Sequence, residues 1–115
     1  MNEMMFANYI LDENKQVQAV GFLESVTYRR NNPEATRVAR DVVNNRVVST
    51  IFLWVDAARS LHEPPVYFET KTFHLRGDGK IGRQAKGELL EDRYSTYEEA
   101  EQGHKEIVGR VKGES

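Results

Sequence analysis

The sequence predicts an α+β fold, in which an antiparallel β-sheet carries a short N-terminal helix and a C-terminal helix packed on it. Two β-rich runs, residues 35–42 and 46–54, flank an Asn-Asn pair at 44–45, and asparagine readily takes the positive φ of a tight hairpin turn. A third β-rich run follows at 66–75. An apolar stripe at helical spacing then runs to the C-terminus.

Length and composition indicate one globular domain, residues 1–115. The chain is 39% hydrophobic and 30% charged, and its net charge of -2 argues against binding a nucleic-acid polymer, which a basic domain usually does. The absence of cysteine excludes disulfides and thiolate metal sites and fits a reducing cytoplasm. We find no signal-peptide pattern and no run long enough to span a membrane, so we expect a cytoplasmic protein. Because a domain of this size buries a modest core, assembly into oligomers would stabilise it.

The N-terminal third predicts a strand and then a short helix. Residues 5–11 are apolar and aromatic and end at a polar turn. Residues 17–30 have apolar positions at helical spacing, although Gly21 and the run 26–28 also suit a strand. The stripe consists of Val20, Leu23, Val26 and Thr27. Asn31-Asn32-Pro33 is expected to end the helix, because proline lacks a backbone donor.

The run 46–54 is apolar on both faces, which predicts a strand that is central or lies at an oligomer interface. One face consists of Val47, Ser49, Ile51 and Leu53, and the other of Val48, Thr50, Phe52 and Trp54. In the run 66–75, strand alternation puts Glu69 and Lys71 on one side, which we expect to face solvent.

The C-terminal third predicts a glycine-rich flexible loop at 76–87, a short last strand at 89–94 and a helix. We expect Ser95 to cap this helix and Glu98 to complete a capping box. The apolar stripe consists of Ala100, His104, Ile107, Val108 and Val111. The loop lacks the spacing of known phosphate-binding loops, so a mobile loop is the simpler interpretation, although it would also serve as a basic lid.

No catalytic or metal-binding pattern is present in the sequence. The three histidines, His62, His74 and His104, have no partners at metal-ligand spacing, and we interpret them as surface or packing residues. Acidic residues near the start of the last helix are expected to complement the helix dipole. We therefore predict no enzymatic activity, no cofactor and no metal.

Two basic segments are candidates for binding a phosphate. Arg93 and Tyr94 precede a helix N-terminus, where free N–H groups suit an anion, although a helix cap next to a core tyrosine explains the same residues. Arginines also cluster between residues 29 and 46 and face few acids. Strand alternation puts Arg37 and Arg40 on opposite faces, and a solvated strand edge is the alternative interpretation.

Three segments together resemble a family of small phage and prophage proteins. They are VSTIFL at 48–53, PPVYFET at 64–70 and RYSTYEEAEQGH at 93–104, which resemble the family patterns VSTVFLG-D, PPxxFET and YSTWEEAxxGH over residues 5–112. The chain further resembles the first family of Thoeris anti-defence proteins. It departs from the pattern at Trp54, which replaces glycine, at Tyr97, which replaces tryptophan, and at 74–76, which replaces a Gly-Gly pair.

The resemblance implies a phage-encoded protein without enzymatic activity that binds and sequesters a cyclic nucleotide immune signal. The expected ligand is a cyclic ADP-ribose isomer, a cyclic oligonucleotide or both, and the expected assembly is a dimer or hexamer. The candidate ligand-binding residues are Arg37, Phe73, Arg93, Tyr94, Ser95 and Arg110. A protein-binding inhibitor or phage accessory protein of unknown partner is the alternative function, and a nucleotide hydrolase is the least favoured one.

Overall fold

An antiparallel sheet with two helices packed on it forms the α+β fold predicted from the sequence. A computed structural model describes residues 8–113. The helices and strands are β1 (Asn8–Leu11), β2 (Val17–Val20), α1 (Phe22–Asn31), β3 (Arg37–Val43), β4 (Arg46–Phe52), β5 (Phe68–Leu75), β6 (Ile81–Gln84), β7 (Glu91–Tyr94) and α2 (Tyr97–Lys112). Within residues 8–113, neither helix is long and apolar enough to cross a bilayer.

The β3–β4 hairpin turns at the predicted asparagine pair. Asn44 and Asn45 have φ of 49° and 61°, which are the left-handed values that a two-residue turn between twisted strands requires. The Asn44 side chain also donates a hydrogen bond of 2.9 Å from Nδ2 to the Val111 carbonyl of α2. The turn is therefore fixed both by its own backbone and by the C-terminal helix.

Strand β4 is central in the larger sheet, as its two apolar faces predicted. It pairs with β3 on one edge and with β5 on the other. β5 in turn pairs at its C-terminal end with β6 and at its N-terminal end with β7, so these two short strands lie along the same edge of β5. The covered face of the sheet carries the buried side chains Val48, Thr50, Phe52, Phe68, Thr70 and Thr72.

Helix α2 lies on this covered face and buries the predicted stripe. Ala100, His104, Ile107 and Val111 are buried, together with Gly103. The helix begins one residue later than predicted, because Thr96 is the N-cap and Glu99 completes the capping box. The prediction of Ser95 and Glu98 in these positions was wrong, since the Ser95 hydroxyl instead donates to the Pro65 carbonyl.

The N-terminal region differs from the prediction in two respects. Residues 17–20 form β2, which pairs with β1, so the helix begins only at Phe22. The predicted apolar stripe of this helix does not face the sheet, because Leu23 is 77% exposed and Val26 is 37% exposed. Tyr28 attaches α1 instead, donating from its hydroxyl to the Leu11 carbonyl at 2.9 Å. The helix ends at Asn31 as predicted, and positions 5–7 of the predicted first strand lie outside the described residues.

The predicted loop at 76–87 contains strand β6. Its turn is made by residues 76–80, in which Gly79 has a φ of 82° that favours glycine. The backbone of Arg76 accepts from Gly79 and donates to Lys80, which closes the hairpin. Short strands with glycine and charged residues have no clear alternation, so their pairing depends on the free edge of β5. The predicted last strand is confirmed as β7.

Candidate functional site

The face of the sheet opposite α2 carries charged and aromatic side chains, and we call it the open face. Strand register places Arg40 beside Ser49, Ser49 beside Lys71, and Lys71 beside Glu91. A second row contains Ile51, Glu69 and Arg93, and a third contains Val42, Val47, Phe73 and Gln84. With Arg37 opposite Ile51, these rows of the open face combine five cationic or aromatic side chains with two carboxylates.

Three adjoining hollows lie along the open face. The first has a volume of about 490 Å³ and is lined by Arg37, Arg40 and Ile51 among others. The second, of about 200 Å³, shares Arg40 and Ile51 with the first and reaches Lys71 and Phe73. The third, of about 380 Å³, shares Lys71 with the second and extends to Arg93. The shared residues make these hollows one continuous surface.

Arg37 and Arg40 line the same hollow, although strand alternation predicted that they would point to opposite faces. The register of β3 against β4 shifts between Arg37 and Ala39, and this bulge inserts one residue into the alternation. Both side chains are exposed, and within residues 8–113 neither guanidinium has a hydrogen-bond or ion-pair partner. Their donors are therefore available to an anion.

The third hollow contains charges of both signs. Lys71 Nζ lies 3.6 Å from Glu69 Oε1, and Gln84 Nε2 donates to Glu91 Oε2 at 2.7 Å. The Arg93 guanidinium donates to the Ala57 carbonyl of the β4–β5 loop. Carboxylates beside cations suit ligand hydroxyl or amino groups better than a second phosphate. The first hollow has two guanidiniums and one carboxylate, Glu34, whereas the third has three cations and three carboxylates. The better site for a phosphate on this face is therefore the end at Arg37 and Arg40.

Tyr94 lies on the covered face, away from the hollows of the open face. Its ring packs directly against Gly103 of α2, where a Cβ atom would lie 2.1 Å from the ring. Its hydroxyl donates to Thr70 Oγ1 at 3.1 Å, and burial raises the pKa of the phenol. Arg93 and Tyr94 are neighbours in the chain and point to opposite faces of the sheet, so Tyr94 does not accompany Arg93 on the open face.

The N-terminus of α2 is closed by its own side chains. Glu99 Oε1 accepts from the backbone N–H groups of Ser95 and Thr96 at 3.2 and 3.1 Å. Thr96 Oγ1 accepts from the Glu99 N–H at 3.1 Å. With Glu98 also in the first turn, this end of the helix is acidic and its donors are partly occupied. The geometry favours the capping interpretation of residues 93–98 over an anion site.

Three of the six predicted ligand residues lie on the open face, and the other three lie elsewhere in the chain. Arg37, Phe73 and Arg93 lie on the open face. Tyr94 is buried, and Arg110 projects from α2, where its Nη1 donates to the Leu89 carbonyl at 3.3 Å. The sixth, Ser95, lines a separate hollow of about 350 Å³ beyond the end of β7, together with Arg93 and Tyr94 and with the carboxylates Glu63 and Glu99.

Sequence reasoning left Arg40 and Lys71 out of the predicted site. Lys71 could have been predicted from the sequence, because strand alternation puts it on the same face as Phe73. Arg40 was not, because its position beside Arg37 depends on the bulge in β3. His104 is buried and hydrogen-bonded, in line with its interpretation as a packing residue, and residues 8–113 contain no cluster of side chains suited to a metal ion.

Comparisons with protein-family models, with curated proteins and with solved structures give no match. The family resemblance of the three motifs therefore stays a prediction.

Proposed function

We propose that this protein is a phage-encoded binding protein that sequesters a cyclic nucleotide immune signal in the cytoplasm of the host cell. The ligand is a cyclic ADP-ribose isomer, a cyclic oligonucleotide or both, and the protein holds it without converting it. Each residue assigned to the site has a binding role and none has a catalytic role. The proposal combines the motif resemblance with the chemistry of the open face.

The observation that carries the proposal is the pair of unpartnered guanidiniums at Arg37 and Arg40. Both line the 490 Å³ hollow, and Arg40 also lines the hollow that contains Phe73. Arginine binds phosphate oxygens through two parallel hydrogen bonds, and an aromatic ring offers a flat surface to a base. A pyrophosphate at the arginines with a base toward Phe73 satisfies both requirements of a nucleotide.

A second copy of the chain completes the proposed site. Hollows along a single sheet face are open to solvent on one side, whereas tight binding of a small molecule requires burial of most of its surface. A partner subunit lying against the open face would cover the ligand, and a dimer or hexamer meets this need. Tyr94, Ser95 and Arg110 line none of the three hollows of the open face, so a contact between them and a ligand bound on that face requires the partner subunit.

Titration calorimetry with cyclic ADP-ribose isomers and cyclic oligonucleotides tests the proposal. We expect tight binding of at least one ligand and a loss of affinity of more than about 100-fold in the double variant Arg37→Ala/Arg40→Ala, because charge-assisted hydrogen bonds are worth about 1.5–3 kcal/mol each. The matched control is Arg30→Ala/Arg83→Ala, which removes two exposed arginines that line none of the three hollows. Equal affinities of the two double variants, or no binding of any of these nucleotides, would contradict the proposal.

Mass spectrometry of the ligand after heat denaturation of the complex tests sequestration. We expect the nucleotide to be released with its mass unchanged. A hydrolysed product in place of the intact ligand would reject sequestration and favour the nucleotide hydrolase.

A protein partner is the second candidate, and the outward face of α1 favours it. Phe22 is 66% exposed and lies next to the exposed Leu23, and together they form an apolar surface at the start of the helix. If the protein is an inhibitor that binds a host protein through α1, the variant Phe22→Ser/Leu23→Ser would no longer bind that host protein. The same variant would keep full nucleotide affinity if the open face is the functional site.

A further inference from the structure

Five polar side chains form a continuous chain of hydrogen bonds across the covered face of the sheet. The Tyr94 hydroxyl lies 3.1 Å from Thr70 Oγ1, which lies 2.5 Å from Thr50 Oγ1. Thr50 Oγ1 lies 2.7 Å from His104 Nδ1, and His104 Nε2 lies 2.7 Å from Asp41 Oδ2. All members except Asp41 are buried, and Asp41 lies at the solvent edge on β3.

One direction of this chain gives every hydrogen an acceptor. An ionised Asp41 only accepts, so His104 Nε2 carries a hydrogen. A neutral imidazole then accepts at Nδ1 from the Thr50 hydroxyl, which accepts in turn from Thr70. Thr70 accepts from Tyr94, whose phenol stays protonated because burial raises its pKa. With a hydrogen on Nδ1, Thr50 would accept from His104 and donate to Thr70. The Thr70 hydroxyl, which also accepts from Tyr94, would then have no acceptor within this chain, in a site with no access to water.

The end of the chain lies next to the proposed phosphate site. Asp41 follows Arg40 directly in β3, and its side chain points to α2 while that of Arg40 points to the open face. Among the strands of residues 8–113, β3 pairs with β4 alone and lies at the edge of the sheet. The Trp54 indole donates to Thr36 at 3.0 Å before the strand begins, and Asn44 bonds α2 after the strand ends. Val43, the last residue of the strand, packs on the cluster of Val48, Ile107 and Val111, and Asp41 adds a polar contact from the middle of the strand to the helix.

From this arrangement we propose that Asp41 and His104 are positioning residues for the Arg37–Arg40 site. The hydrogen-bond chain holds the middle of β3 against α2, and this contact fixes the backbone from which Arg40 reaches the ligand. The assignment rests on the proposed function, because it concerns the same phosphate site. Neither residue touches the ligand.

Hydrogen exchange of the β3 amides that bond to β4 provides a test that needs no ligand. In Asp41→Ala we expect these amides to exchange about 10-fold faster, which corresponds to about 1.4 kcal/mol of local stability, while the amides of β5 are unchanged. The matched control is Asp78→Ala, which removes an exposed carboxylate from the β5–β6 turn. Unchanged exchange in β3, or equal acceleration in the control, would overturn the proposal.

Two substitutions at His104 separate positioning from general stability. His104→Gln puts its amide near the position of Nε2 and keeps a donor for Asp41, whereas His104→Asn reaches only the position of Nδ1 and keeps the contact with Thr50. We expect both variants to lose global stability, and only His104→Asn to speed exchange in β3 and lower nucleotide affinity about 10-fold. Equal effects of the two variants on β3 and on affinity would leave His104 a structural residue and reject the positioning role.

The imidazole nitrogens of His104 provide an independent check by ¹⁵N NMR. We expect a protonated Nε2 and an unprotonated Nδ1 at neutral pH, and an Nδ1–H tautomer would contradict the direction of the chain. If the wild-type chain binds no nucleotide, the proposed function fails. The exchange and NMR measurements then still decide whether Asp41 and His104 fix β3.

Discussion

The two faces of the central sheet are built from the same strands but differ in chemistry. On the covered face, β4 and β5 present buried threonine, valine and phenylalanine side chains to α2, and Thr50 and Thr70 belong to the hydrogen-bond chain. On the open face, the same two strands present Ser49, Glu69, Lys71 and Phe73 to two of the three adjoining hollows. The comparison shows that one face stabilises the fold and leaves the other available for binding.

This difference follows from what each face has to satisfy. A buried polar group is costly unless it is hydrogen-bonded, and on the covered face the buried Tyr94, Thr70, Thr50 and His104 side chains bond to one another. An exposed guanidinium has no such cost, so Arg37 and Arg40 remain without partners. Substitutions on the covered face are therefore expected to affect stability, and those on the open face to affect binding.

The largest expected effect comes from removing a phenylalanine from each face. Phe52 is fully buried and its ring centroid lies 4.9 Å from that of Trp54 and 5.4 Å from that of Phe68. Phe52→Ala is expected to lower the free energy of unfolding by about 3–5 kcal/mol, through lost transfer energy and a cavity. Phe73→Ala on the open face is expected to cost about 1 kcal/mol, because its ring is only half-buried. Urea denaturation measures both, and equal losses would mean that the open face is also core.

A smaller effect is expected from adding one methyl group to α2 on either side of the helix. In Gly103→Ala the new Cβ would overlap the Tyr94 ring, so we expect a loss of about 1–3 kcal/mol. In Gly109→Ala nothing lies within 4 Å of the new atom, and the helix gains about 0.5–1 kcal/mol. Thermal unfolding of the two variants is expected to move in opposite directions. A stabilised Gly103→Ala would show that α2 does not lie tightly on the covered face.

The smallest expected effect is a pH dependence of stability at Tyr67, which lies at the end of the sheet next to β1. Tyr67, just before β5, packs against Tyr9 of β1 with ring centroids 4.8 Å apart. Burial and a hydrogen bond with Tyr9 raise the pKa of Tyr67 from 10.0 to about 12. Because the folded pKa lies above the unfolded one, the protonated phenol stabilises the fold fully below pH 10, and this contribution is lost as the pH rises through about 12.

Spectrophotometric titration at alkaline pH checks this prediction. One tyrosine is expected to ionise near pH 12 in the wild-type chain and to be missing from the titration of Tyr67→Phe. Stability in Tyr67→Phe is expected to fall less steeply above pH 10 than in the wild type. Identical alkaline profiles would indicate that β1 leaves Tyr67 open to water.

Local sequence determined the elements whose backbone geometry depends on near neighbours. The Asn44-Asn45 turn was predictable because asparagine tolerates positive φ, and the strand faces of β4 and β5 were predictable from alternation. The stripe of α2 was long and periodic, so its buried face was also predictable. By contrast, the short stripe of α1 was misleading, because Leu23 and Val26 lie on the solvent-exposed side of the helix.

The sequence by itself determined the α+β class, the central hairpin and the covered face, because these depend on periodicity and on the φ preferences of single residues. Only the tertiary structure decided which residues share the candidate site. The bulge in β3 brings Arg37 to the side of Arg40, and the approach of Gly103 to the sheet buries Tyr94. Both depend on contacts between segments far apart in the chain, and no local pattern contains that information.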